Sequence, residues 1–223
     1  RYPVADVQRL STTLSRLGYQ VQRLVDVKPD KPRFVPTRQN IESELSILCK
    51  NAGPDDFLFA HLGTHGVRFG GKAYLLASDT RLDTLEKTAI PVSTIEEMLT
   101  ESRARRIVLS IDACHSGMLR KDGHRAPGDP DPSVPEFYKN VYDQAEGFAM
   151  IAACTADQLA YEDAESGLGV YTRFLVEALE GKHALFGGPA PFENGVVTVD
   201  FVKQYVLFHM RKWCVANGKA PQE

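Results

Sequence analysis

One stretch of this sequence decides its predicted fold, and it reads Ile107-Val108-Leu109-Ser110-Ile111-Asp112-Ala113-Cys114-His115-Ser116-Gly117. The first half is an apolar run, which is typical of a strand buried on both faces of a parallel sheet. The second half turns polar at Asp112 and includes the thiol of Cys114. Ligands of open α/β sheets bind at the carboxyl ends of the strands. We therefore expect Cys114 to lie at the edge of a crevice.

A second apolar run, residues 57–62, ends in a similar way, with His65 and Gly66. If the two runs are neighbouring parallel strands, their carboxyl ends lie side by side and His65 can face Cys114. An imidazole beside a thiol is the arrangement that activates a nucleophilic cysteine. His65 precedes Cys114 by about 50 residues, which is the separation described for caspases.

These paired motifs resemble those of caspase-like cysteine peptidases (peptidase family C14), and most closely the metacaspase and bacterial-caspase branch. That branch carries His-Gly after one strand and Asp-x-Cys-His-Ser-Gly after the next, which are His65-Gly66 and residues 112–117 here. The resemblance runs from about Val4 to about Gly181. Together with the alternation of strand and helix patterns, it implies an α/β fold with a mostly parallel central sheet flanked by helices on both faces.

The resemblance also implies one peptidase domain over residues 1–223. Its expected parts are a large-subunit-like part at 1–120, a linker loop at 121–136 and a small-subunit-like part at 137–223. In the caspase family a first strand precedes the first helix, and this sequence does not contain it. We therefore expect a missing N-terminal segment or a separate chain to supply that strand, unless the sheet has an empty slot there.

Peptide hydrolysis by this site would use Cys114 as the nucleophile and His65 as the group that takes and returns the proton. The backbone N–H groups of Gly66 and Cys114 would stabilise the oxyanion. His61 and His115 are expected to be bystanders, since His61 lies inside an apolar run and His115 follows the nucleophile. A zinc site made of His61, His65, Cys114 and His115 matches no compact metal motif.

Acidic residues predict the specificity. In caspases a Gln stands two residues before the nucleophile and arginines complete a pocket for Asp, whereas Asp112 stands there in this chain. The segment after the third apolar run is acidic as well, with Asp157, Glu162 and Asp163. Desolvated carboxylates attract a guanidinium or an ammonium group. We expect Asp112, Asp157 and Glu162 to bind the substrate and cleavage to follow Arg or Lys. The alternative is that Asp157, Glu162 and Asp163 are solvated loop charges.

The segment at 119–136 is predicted to be a long loop, because four prolines interrupt it. It contains Arg120, Lys121 and Arg125, which are the residue types that an acidic pocket accepts, so we predict a processing site there. The alternative is a disordered surface loop without a role.

No cofactor is predicted. Some metacaspases need calcium, and Asp129, Asp131 and Glu136 offer oxygen ligands, but their spacing is not diagnostic. Two other function classes compete with a peptidase. A catalytically silent caspase-like interaction module would have no need of both His65 and Cys114, and a metal-dependent hydrolase would lose its activity to chelators.

Bulk composition bounds the remaining alternatives. The chain has 223 residues, 43% of them hydrophobic, and a net charge of −3. The length and the hydrophobic content suffice for one substantial core. The small negative net charge predicts no general electrostatic attraction to nucleic acid or anionic membranes. The four cysteines show no paired spacing, which favours a reduced, cytoplasmic protein. We expect a protein substrate and a regulatory partner or fused domain.

Local patterns predict the other elements. A strand is predicted at Tyr19–Val25, a hairpin around Gly70-Gly71, and a strand over residues 147–155. Predicted helices are Val4–Leu17 ended by Gly18, Arg38–Lys50 capped by Thr37, Ser93–Arg103 capped by Ser93, and a last one that starts at Thr198 or Asp200. Leu168–Leu179 is predicted to be a helix or a segment that passes from strand to helix.

Overall fold

The computed structural model describes residues 2–27, 30–118, 147–153, 161–181 and 197–220. The chain divides into two compact units, one formed by residues 1–23 and 153–223 and the other by residues 24–152. We refer to the first as the helical unit and to the second as the sheet unit. The predicted linker at 121–136 lies outside the described residues, so the prediction of a single domain with that linker stays a prediction.

The sheet unit contains a five-stranded mixed sheet with the order β3-β2-β1-β4-β5. β1, β4 and β5 are parallel, whereas β2 and β3 are antiparallel to their neighbours. This confirms the α/β fold class, with the parallel part at the two predicted motifs. The strands are β1 Phe57–Phe69, β2 Lys72–Leu75, β3 Ile90–Pro91, β4 Arg106–Met118 and β5 Phe148–Ala152.

The hairpin that joins β1 to β2 forms where it was predicted. Gly70 and Gly71 have φ angles of 59° and 77°, which is the left-handed region that glycine adopts without steric cost. Phe69 pairs with Lys72 across the turn. Of β1, only residues 66–69 pair with β2, so β1 forms most of its ladder with β4.

The described part of the sheet unit has three α-helices, namely α2 Arg38–Asn51, the short α3 Leu85–Thr88 and α4 Val92–Thr100. The Thr37 side chain accepts a hydrogen bond from the backbone N–H of Asn40 and so caps α2 as predicted. The prediction that Ser93 caps α4 was wrong. The N-cap position is Pro91 and makes no side-chain cap, because β3 runs directly into the helix.

One face of the sheet packs against α2 and α4. Residues of β1 and β4 belong alternately to this face and to the opposite one, since successive side chains of a strand point to opposite sides. Alternate apolar residues of both strands lie on this face, and their burial fixes the orientation of the strands. The cluster contains Leu58 of β1, residues Ile107, Leu109, Ile111 and Ala113 of β4, Phe148 of β5, Cys49 of α2, and Ile95 and Leu99 of α4.

The helical unit contains α1 Tyr2–Arg16, α5 Val170–Leu179 and α6 Val199–Ala216, with a two-stranded ribbon of β6 Glu162–Asp163 and β7 Leu168–Gly169. Gly18, with φ of 91°, ends α1 as predicted. Thr198 caps α6 by accepting from the Phe201 N–H. The buried Asp6 of α1 accepts a hydrogen bond of 2.9 Å from the Gly169 N–H, and this bond ties α1 to the ribbon.

The predicted strand at Tyr19–Val25 was wrong, because this segment has no regular secondary structure and pairs with no strand of the described residues. The Tyr19 N–H donates to the Leu14 carbonyl and the Val25 N–H donates to the Phe34 carbonyl. Alternation of apolar residues predicts an extended backbone, but a strand also needs a neighbour that accepts its hydrogen bonds. Among the described helices, none is both long and apolar enough to span a bilayer.

Candidate active site

The backbone register brings the two predicted motifs together. β1 and β4 pair in parallel from Phe57 opposite Arg106 onwards, and this pairing places His65 directly opposite Cys114. Neighbouring strands lie about 4.8 Å apart, and residues opposite each other in a parallel pair occupy the same face of the sheet. His65 and Cys114 therefore share one face at adjacent positions.

That face is the one opposite the apolar cluster, and it carries a succession of polar pairs. Proceeding toward the carboxyl ends of the strands, His61 lies opposite Ser110 and Gly63 lies opposite Asp112. The next pair is His65 with Cys114. We call this set of six residues the polar face of β1 and β4. One face thus holds the predicted nucleophile, its predicted base and the predicted specificity carboxylate.

The backbone of His65 is fixed from both sides. On one side the β4 ladder holds it, and on the other its carbonyl accepts a hydrogen bond of 2.9 Å from the Leu76 N–H. The Thr64 hydroxyl donates to the Leu76 carbonyl at 2.6 Å and adds a second tie to the end of β2. The His65 side chain itself is exposed, as a group that must meet a substrate needs to be.

Gly66, the predicted oxyanion residue, lies at the point where β1 changes its environment. It is buried and pairs with Leu75 of β2 on one side and with His115 of β4 on the other. The register between β1 and β4 shifts between Gly66 and Arg68. Such irregularities bend a strand and often lie beside functional sites, where they redirect side chains.

His61, which was predicted to be a bystander, belongs to the polar face. Its Nδ1 lies 2.9 Å from the hydroxyl of Ser110, which is fully buried. Burial lowers the pKa of His61 to about 4, because a charged imidazole would lose its hydration. His61 is therefore neutral at physiological pH. A signal for this pair was present in the sequence, because the offset that aligns His65 with Cys114 also aligns His61 with Ser110.

Gly63 lies opposite Asp112 and next to the His61 ring. A Cβ atom at residue 63 would have only one described neighbour within 4 Å, the Nε2 atom of His61 at 3.5 Å. The His61 ring therefore extends along the strand toward Gly63 and toward the carboxyl end of the sheet. Asp112, opposite Gly63, is half-buried.

Of the other predicted substrate-binding acids, the structure describes Glu162, which is not part of the sheet unit. Glu162 lies in β6 of the helical unit and its side chain is exposed. Its neighbour Asp163 is buried and accepts a 2.6 Å hydrogen bond from Arg173. Burial raises the pKa of Asp163, but hydrogen bonds from Ser166, Arg173 and the Glu165 N–H outweigh this effect and hold it below the usual value. Asp163 thus has a structural ion pair.

Several predicted residues lie outside the described residues. These are Asp157, the basic residues Arg120, Lys121 and Arg125, and the acids Asp129, Asp131 and Glu136. Within the described part of the chain, no group of three or more His, Cys, Asp or Glu side chains could hold a metal ion. Among the cysteines whose side chains the structure describes, Cys49 and Cys214 are free and buried.

The sheet and its register define an α/β protein with a candidate cysteine–histidine site at the carboxyl ends of two parallel strands. A family model described as the caspase domain, Peptidase C14, matches residues 1–187. The chain therefore belongs to the caspase-domain family of cysteine-type endopeptidases.

Curated relatives agree with this family, and one solved structure shares the fold. Metacaspase-1 of Candida albicans is 28% identical over 133 residues, which are 53% of this chain and 30% of that protein. Metacaspase-1 of Eremothecium gossypii is 33% identical over 129 residues, which are 51% of this chain and 27% of that protein. The chain thus spans less than a third of these relatives. A solved protein of Geobacter sulfurreducens has a similar fold, with a TM-score of 0.59 at 16% identity over 92% of this chain and 78% of that one.

Proposed function

We propose that this protein is a cysteine endopeptidase that cleaves proteins after Arg or Lys with a dyad of Cys114 and His65. The observation that carries the proposal is the register of β1 and β4, which pairs these two residues on the polar face at the carboxyl ends of the strands. A core that needed only apolar contacts would not require a polar face opposite the packed one.

In the proposed reaction the Cys114 sulfur attacks the carbonyl carbon of the peptide bond after its proton has passed to His65. The tetrahedral oxyanion receives hydrogen bonds from the backbone N–H groups of Cys114 and Gly66. When the C–N bond breaks, His65 gives the proton to the leaving amine and an acyl-thioester remains on Cys114. Water, deprotonated by His65, then hydrolyses the thioester and restores the thiol.

The preference for a basic residue is proposed to rest first on Asp112. Asp112 lies two residues before Cys114 on β4, and therefore on the same face of the sheet. A substrate side chain that extends from the scissile bond along the strand would meet its carboxylate. A half-buried carboxylate attracts a cation and repels an aspartate. Asp157 and Glu162 are proposed as further acids of the pocket, on the strength of the sequence pattern alone.

The experiment that tests the activity compares Cys114→Ala and His65→Ala with the unmodified protein on fluorogenic peptides that differ only in the residue before the cut. Both variants should lose at least about a thousandfold in kcat/KM, because removal of a nucleophile or base leaves only binding and oxyanion effects. Cys49→Ala is the matched control, since Cys49 is buried and its burial raises the pKa of the thiol. Turnover near that of the unmodified protein in Cys114→Ala would refute the assignment. Turnover only after Asp would refute the specificity.

Regulation is proposed to involve self-cleavage after Arg120, Lys121 or Arg125, followed by rearrangement near Cys114. Mass spectrometry of the active protein should find new termini after a basic residue in this loop, and the Cys114→Ala protein should lack them. An intact loop in a fully active protein would remove processing from the proposal.

The proposed chemistry needs no cofactor. Turnover in the presence of EGTA, compared with turnover in added calcium, tests the remaining proposal that calcium is required. A regulatory partner or fused domain is proposed because an unregulated peptidase would endanger its host.

A further inference from the structure

The side of β1 that packs against α2 and α4 carries one polar residue, directly before His65 in the chain. Successive residues of β1 on this side are Leu58, Ala60, Leu62, Thr64 and Gly66. Apolar burial alone would favour valine at residue 64, because valine has nearly the shape of threonine and no hydroxyl that needs a partner. The hydroxyl of the half-buried Thr64 is therefore a feature that the packing of this side does not explain.

The partner of this hydroxyl is a backbone group just beyond the end of β2. The Thr64 hydroxyl donates to the Leu76 carbonyl at 2.6 Å, while the Leu76 N–H donates to the His65 carbonyl at 2.9 Å. Leu76 is therefore held by two consecutive residues of β1, by one through its side chain and by the other through its backbone. We call these two hydrogen bonds the Leu76 clamp.

The Leu76 clamp lies at the point where β1 loses β2 as a neighbour. Residues 66–69 of β1 pair with β2, whereas residues 57–65 have a ladder only with β4 among the described strands. Beyond Leu76 the chain leaves β1, and the Ala77 N–H donates to the Thr80 side chain at 2.8 Å instead. A residue at the end of a ladder has fewer hydrogen bonds that resist a tilt of its backbone than one inside it. The clamp supplies such a bond at His65.

The orientation of the His65 ring depends on this backbone. The ring is exposed, and none of the described residues forms a hydrogen bond with it. The direction in which the ring extends therefore follows the backbone, which the β4 ladder holds on one side and the Leu76 clamp on the other. A general base must lie within about 3 Å of the proton that it takes, and a misplacement of about 1 Å can lower a rate about a hundredfold.

We propose that Thr64 is a positioning residue for the reaction, because its hydroxyl holds Leu76 and Leu76 holds the backbone of His65 in the orientation that directs the imidazole toward Cys114. The proposal rests on the proposed function and adds to it the group that orients the base. Residue 64 faces the side of the sheet opposite to that of residue 65, so Thr64 acts through the backbone and touches neither the substrate nor the reacting atoms.

Loss of the hydroxyl should slow the chemical step and leave the binding of the substrate nearly unchanged. Thr64→Val, measured on a fluorogenic peptide with Arg before the cut, should lower kcat about tenfold, because the base is less well placed. KM should change by less than about twofold, since no group that binds the substrate is altered. Thr64→Ser keeps the hydroxyl, and its kcat should stay within about twofold of that of the unmodified protein.

A second measurement reports on the position of His65 without peptide hydrolysis. An imidazole beside a thiol stabilises the thiolate, so it lowers the pH at which iodoacetamide alkylates Cys114. The alkylation of Cys114 is followed by mass spectrometry as a function of pH. Thr64→Val should move this pH profile toward that of His65→Ala, and Thr64→Ser should not. A role of Thr64 in folding alone would lower the stability and leave the profile unchanged.

Thr80→Val is the matched control, because it also removes a threonine hydroxyl from the segment that follows β2. That hydroxyl accepts a hydrogen bond from the Ala77 N–H and has no part in the Leu76 clamp. Both variants should lose stability in urea unfolding, but only Thr64→Val should lower kcat and shift the alkylation profile. Equal effects of the two variants on kcat would overturn the proposal, because any loosening of this segment would then suffice.

Thr64→Ala, which also lacks the hydroxyl, provides a second variant should Thr64→Val not fold. A variant without the hydroxyl that keeps the kcat and the alkylation profile of the unmodified protein would overturn the proposal while the peptidase assignment stands. The same conclusion would follow if Thr64→Ser were as impaired as Thr64→Val. If the unmodified protein cleaves no peptide and His65→Ala leaves the alkylation profile unchanged, the proposed function falls and this inference falls with it.

Discussion

The stability of the sheet unit should depend on the protonation of Glu96, a carboxyl inside α4. Glu96 is 5% exposed, and its Oε1 atom has no hydrogen-bond partner among the described residues. Burial, with a smaller contribution from the charge of Glu97, raises the pKa of Glu96 from 4.5 to about 8. The perturbation that reveals this effect is Glu96→Gln, which has the same shape and does not titrate.

The direction follows from proton binding in the two states. Between pH 4.5 and 8 the unfolded chain has lost this proton and the folded protein retains it, so the free energy of unfolding falls as the pH rises through this window. A pKa change of this size corresponds to about 3–5 kcal/mol. The unfolding free energy of Glu96→Gln relative to the unmodified protein should therefore increase by about that amount from pH 4.5 to pH 8.

The assay is urea unfolding of both proteins across this pH window. Glu97→Gln is the matched control, because Glu97 is the next residue on the same helix and is exposed. The control should show only a small change with pH relative to the unmodified protein. The free energy of unfolding of Glu96→Gln minus that of the unmodified protein could instead stay constant from pH 4.5 to pH 8. Glu96 would then be ionised in the folded protein, and the reasoning from its burial would be refuted.

Two further substitutions test the packing of the sheet unit by urea unfolding. Gly147→Ala should destabilise the protein more than Gly167→Ala does. Both glycines have positive φ, but only the Cβ at 147 would lie 1.9 Å from the Arg105 carbonyl oxygen. Equal losses of unfolding free energy in the two variants would contradict this clash. Leu109→Ala should cost about 2–5 kcal/mol, because this fully buried side chain leaves a cavity. Leu82→Ala, at a side chain that is 64% exposed, should cost little, and similar effects of the two would contradict the position of the core.

The sequence sufficed to predict the strands of the site because their signals are local. An apolar run followed by polar residues marks a buried strand and its carboxyl end, and two such runs predicted the β1–β4 pair. The pairing of His65 with Cys114 follows the same signals. The alternation along both strands then determines which residues share a face.

Other features could not be predicted because they depend on neighbours that the local sequence does not specify. The segment Tyr19–Val25 has the alternation of a strand, but pairing depends on what lies beside it. Asp163 was one of several acids in a loop by sequence, whereas its bond to Arg173 arises only when α5 packs beside the ribbon. The contact between His61 and Ser110 was missed because an isolated histidine in an apolar run is most often a core residue, and only the register relates it to Ser110.

The shared register of β1 and β4 has a consequence for how this sequence can change in evolution. A deletion of one residue in either strand would move every later side chain to the opposite face, so a polar residue would enter the packed side and an apolar one would replace it on the polar side. Apolar burial between the sheet and α2 and α4 opposes such a slip along the whole ladder. Single substitutions can therefore accumulate within these strands, whereas insertions and deletions should be confined to the loops that connect them. The free energy that stabilises the core thereby also preserves the alignment of His65 with Cys114 across changes in sequence.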